Sequence, residues 1–71
     1  MNIQSKVIRL ASINAALTVS SLPPRIMDEK KEIMESLAKE KLIVVSKDGT
    51  FSFTSRENDS LYTEIFSDFN S

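Results

Sequence analysis

Asp28, Glu32 and Glu35 stand four and three residues apart, a spacing that brings carboxylates to neighbouring positions on a helix. Carboxylates so placed can share a proton or make a weak metal contact. Nothing beside them completes a site. The chain has no His and no Cys, hence no imidazole base, no thiolate nucleophile and no soft metal ligand. Its single glycine, Gly49, excludes a glycine-rich phosphate loop. The acids therefore read as a solvated helix face. The expectation is a non-enzymatic chain with neither a cofactor nor a metal site.

Two other groups have a use in recognition rather than catalysis. Arg25, Lys30, Lys31 and Lys47 are cations placed to touch phosphates. All five aromatic residues lie between positions 51 and 69; on a last helix Phe69 would fall in line with Leu61 and Ile65, with Tyr62 and Phe66 flanking that line. Charge weighs between the two groups. The net charge is −1, whereas a nucleic-acid binder draws much of its affinity from a basic excess.

The elements that must position these residues are legible from periodicity. Over residues 2–17, Ile3, Val7, Leu10 and Leu17 recur at helical spacing, with Ala11 and Ala15 nearby. Ile8 and Ile13 widen the apolar stripe, so this helix is either covered on two sides or left with an exposed strip. Asn14 interrupts it. Thr18-Val19-Ser20-Ser21-Leu22 reads as a break, closed by Pro23 and Pro24. A second helix, about 24–41, begins near Pro24, where no amide donor is needed, or a few residues later with Asp28 as its N-cap. Ile26, Ile33 and Leu37 form its inward line, with Met27, Met34 and Ala38 beside it. Asp28 and Glu29 in its first turn and Lys39 and Lys41 in its last would suit the helix dipole. A hairpin follows at about 42–54, with the Lys47-Asp48-Gly49-Thr50 turn between Leu42–Val45 and Phe51–Thr54. Asp59 or Ser60 caps a last helix at about 60–69, in which Leu61, Ile65 and Phe69 are four apart.

The stretch MESLAKEKLIVVSKDGTFSFT ends a segment, residues 28–54, that resembles the back half of a winged-helix domain. There a helix closes on a Leu-Ile pair, here Leu42-Ile43, a basic turn forms the wing tip, and a strand returns. The resemblance implies one small α+β domain over residues 1–71, with two or three helices, a hairpin wing and a C-terminal helix. A third helix before the wing requires 12–21 to split from the first segment. It also implies a choice of function. A dimeric DNA-binding transcription regulator would use Arg25, Lys30, Lys31 and Lys47 as phosphate contacts. Yet residues 28–40, where the reading helix would lie, hold five acids and three bases, and each misplaced carboxylate opposes entry between phosphates. The leading expectation is a protein-interaction module, a small regulator, inhibitor or complex subunit. It would bind a protein partner or a second copy through Tyr62, Phe66 and Phe69.

Size and composition are compatible with that. A chain this short buries only about 60% of its unfolded surface, so one small core, or a partner, must supply the stability. Lys6 and Arg9 precede a stretch faintly like a signal peptide, but Ser12, Asn14 and Thr18 break its apolar run. No segment approaches the roughly 20 apolar residues of a membrane span. The absence of Cys fits a cytoplasmic location.

Overall fold

The computed structural model describes residues 2–70. Its elements are α1 (Ile3–Leu17), α2 (Pro24–Lys39), β1 (Ile43–Val45), β2 (Phe51–Phe53) and α3 (Arg56–Asn70). The described residues are α+β: three helices and one two-stranded antiparallel sheet. Two helices precede the hairpin. Residues 12–17 continue α1 rather than forming a helix of their own, and the chain turns between Thr18 and Pro23.

Local chemistry sets each boundary. Asn2 caps α1, its Oδ1 accepting from the Ser5 amide at 2.7 Å. Pro24 is the first residue of α2, and the Pro23 carbonyl accepts from Ile26 and Met27. Asp28 is therefore not a cap. It is the fifth residue of the helix, and no acid sits in the first turn. The favourable fixed φ of Pro24 prevails over the capping carboxylate.

The other end of α2 closes with a left-handed residue. Lys41 has φ 63°, so it lies beyond the helix rather than in its last turn. The Leu42 amide reaches back to the Leu37 carbonyl and the Lys41 amide to Ala38, both at 2.9 Å. This is a Schellman closure, and Leu42 completes it by packing on the core that contains Leu37.

The hairpin pairs Ile43 with Phe53, Val44 with Ser52 and Val45 with Phe51. At its tip the Asp48 carboxylate accepts from the Thr50 amide and hydroxyl at 3.0 and 2.7 Å, while Gly49 takes φ 89°. α3 starts at Arg56, four residues before the expected start. Ser55 is the cap, its Oγ accepting from the Asn58 amide at 3.1 Å, so Asp59 and Ser60 lie inside the helix.

α1 is covered on two sides. Leu10 and Ile13 join Ile33, Leu37 and Ile43 in one buried cluster. Val7, Ala11 and Ala15 are also buried but lie outside that cluster. They share a helical face with Asn14 and Thr18, whose partners are Tyr62 and Asn70 of α3. Small side chains on that face let α3 approach closely, while the branched face meets α2 and the hairpin. Ile8 remains 40% exposed.

Candidate functional site

The aromatic residues divide into an inner group and one outlier. Tyr62 lies 5.5 Å from Phe51 edge-on and 5.3 Å from Phe53. Phe51 and Phe53 meet edge-on at 5.5 Å, and Phe66 stacks on Tyr62 at 5.8 Å. These spacings suit the ring quadrupoles. The Asn14 amide donates to the Tyr62 hydroxyl at 2.8 Å. Burial raises the Tyr62 pKa, and the Asn14 bond works against that rise. Tyr62 is thus engaged within the chain, with Phe66 half-buried against it. Phe69 is 63% exposed and is the one of the three that presents most of its ring to solvent. The inward side of α3 runs through Tyr62, which packs on the hairpin core.

The four cations do not form one footprint. At about 100° per residue, Arg25 lies some 140° around α2 from Lys30 and 120° from Lys31. Arg25 sits one turn before Glu29 and helps to hold that carboxyl below its ordinary range, where the main cause is the hydrogen bond from Arg9. The Arg9 guanidinium grips Glu29 with two parallel bonds, Nε to Oε1 at 2.7 Å and Nη2 to Oε2 at 2.9 Å. Lys47 is exposed at the hairpin turn. The side of α2 facing α1 is thereby committed to holding the fold, reinforced by a bond from Lys6 Nζ to Ser36 Oγ.

The opposite side of α2 is different. Met27, Met34 and Ala38 form a stripe there, and Val45 of β1 faces them across a groove of about 500 Å³. Met27 is 40% and Val45 47% exposed. Asp28, Lys30, Lys31 and Glu35 rim it, two charges of each sign. The methionines were expected beside the inward line. Met34 is there, half-buried and packed on the core, whereas Met27 is left 40% exposed at the edge because a hairpin with three-residue strands does not reach far enough to cover it. The available signal was the width of the stripe set against the shortness of the strands.

Lys30 also lines a second groove, of about 520 Å³, between β2 and α3, where Asn14, Asp59, Tyr62 and Thr63 contribute. The half-buried Lys30 thus stands where the two grooves meet beneath the hairpin. It makes no ion pair among the described residues.

Asp28, Glu32 and Glu35 gather into no metal site. Among the described residues no group of three or more His, Cys, Asp or Glu is placed to hold an ion. No described helix is long and apolar enough to cross a membrane. No family model matches the chain, and neither a curated protein nor a solved structure matches it.

Proposed function

We propose that this chain is a non-enzymatic, cytosolic protein-interaction module of winged-helix-like architecture, acting as a small regulator, inhibitor or complex subunit. One observation carries the reading: the solvent-open part of α2 beside the hairpin is an apolar groove built by Met27, Met34, Ala38 and Val45. A duplex-reading helix needs donors and cations there. This surface offers methionine, whose flexible thioether adapts to an apolar partner, inside a rim whose charges cancel. Apolar surface rimmed by charge is the usual form of a docking site. Phe69 extends the same chemistry at the far end of α3.

Photo-cross-linking from position 34 in the native host tests the reading. Protein adducts are expected, and Val45→Asp should abolish them. The runner-up is the dimeric DNA-binding regulator using Arg25, Lys30, Lys31 and Lys47. A saturable shift of duplex DNA at low salt, weakened by charge reversal at Lys30 and Lys31, would overturn the proposal in its favour.

A further inference from the structure

The ladder of the hairpin leaves a row of backbone groups outside it on each of its two strands. The Thr54 amide donates to the Leu42 carbonyl at 2.9 Å, and the Ser46 amide to the Thr50 carbonyl at 2.7 Å. Hydrogen-bonded rungs alternate along an antiparallel pair, so the rung between these two is Val44–Ser52. The pairs Ile43–Phe53 and Val45–Phe51 are then the non-bonded ones. Their amides and carbonyls point away from the partner strand. On β2, Phe51 and Phe53 therefore turn two donors and two acceptors outward.

Phe51, Ser52 and Phe53 of that strand also line the groove of about 520 Å³, together with Asp59, Tyr62 and Thr63 of α3. The volume falls within the usual range of ligand sites. Lys30 reaches the same space without an anionic partner of its own among the described residues.

From the outward row, the groove along it and the unpaired cation within it, we infer that β2 is a strand-addition site for an extended peptide bearing a carboxylate side chain. The peptide backbone pairs with Phe51 and Phe53, and its carboxylate meets Lys30. Main-chain bonds supply affinity in this mode, and the flanking side chains select the sequence. The proposal rests on the reading that the chain binds protein, and it adds a surface distinct from the methionine groove.

The test pans a random dodecapeptide phage library against the full chain and synthesises the enriched peptides. Enriched peptides should share an acidic residue. Bound peptide should slow hydrogen exchange of the Phe51 and Phe53 amides at least tenfold. Lys30→Glu should weaken binding at least tenfold and reverse the preference toward a peptide with Lys at the acidic position, while Lys30→Gln should lose the preference without reversing it. Met34→Asp should leave peptide binding intact, so failure of the methionine groove and failure of the strand site are separable. Absence of enrichment, binding that leaves those two amides unprotected, or binding indifferent to the peptide's acid would each overturn the proposal.

Discussion

Asn14 in α1 and Tyr62 in α3 are joined by one hydrogen bond, amide Nδ2 to phenol oxygen, at 2.8 Å. It joins a polar residue that interrupts an apolar stripe to the ring at the centre of the aromatic cluster. Removing one partner strands the other in a half-buried place, which costs about 1–3 kcal/mol. Asn14→Leu and Tyr62→Phe should each lower stability in urea unfolding. The double variant should lose less than the two single losses combined, since residues in contact couple. Additive losses would show that the bond contributes nothing.

The same ring carries an alkaline transition. Burial raises the Tyr62 pKa, so the folded chain holds the phenol proton more tightly than the unfolded chain does. The stability this represents is present below the ordinary tyrosine value of about 10 and is lost as pH rises through the folded value. Phenolate absorbance should therefore titrate above the free-tyrosine range. Asn14→Leu should push it higher still, because the amide dipole that favours the anion is gone.

Acid acts at two other places. Glu29 is held below the ordinary carboxylate range first by its bond from Arg9, and Asp48 first by the Thr50 hydroxyl and then by the Thr50 amide. Lowered pKa values in the folded state mean stability present above the ordinary values and lost as pH falls through the folded ones. Tm should decline on acidification below about pH 4. Glu29→Gln and Asp48→Asn should each flatten that decline, and added salt should shrink the Glu29 contribution because the pair is partly open to solvent. An unchanged acid profile in both variants would refute the assignment.

Lys41 occupies a backbone state that glycine adopts freely and lysine does not. Its φ of 63° crowds Cβ against the following carbonyl. Lys41→Gly should stabilise by about 1 kcal/mol, less the entropy glycine gains in the unfolded chain. Gly49→Ala should do the reverse at φ 89°. An added Cβ there meets nothing within 4 Å, so its cost is backbone strain alone. Chemical denaturation of the two variants separates the signs.

These cases show where the sequence was legible. The start of α2 at Pro24 follows from proline's missing donor, and the hairpin from Asp48-Gly49 between apolar strands. The two-sided burial of α1 was one of two readings allowed by Ile8 and Ile13, and Ala11 and Ala15 are what realise it. Three things were hidden. Ser55 did not stand out as a cap, because nothing apolar follows it until Leu61. The Schellman closure at Lys41 lacks the glycine that usually marks it. The exposure of Met27 depends on how far another element reaches, and periodicity on α2 gives an angle but not the extent of its cover. The groove at Lys30 was illegible for the same reason, since three helices and a strand converge to make it.

Phe69 and Tyr62 offer the sharpest separation of surface from interior on α3. Phe69 is 63% exposed, and a substitution at such a site should change stability by no more than about 0.5 kcal/mol. Phe69→Ser should therefore leave Tm in place. Tyr62→Ala removes a ring that touches Phe51, Phe53 and Phe66 and accepts from Asn14. That loss should approach the lower part of the range for core aromatics, about 3 kcal/mol, a large fraction of the stability of a small domain. If α3 serves a partner, Phe69→Ser lowers affinity at constant Tm, whereas Tyr62→Ala lowers both together. Thermal melts run beside the cross-linking assay from position 34 distinguish the cases. A Tm loss in Phe69→Ser equal to that of Tyr62→Ala would place Phe69 in the fold and remove it from the docking surface.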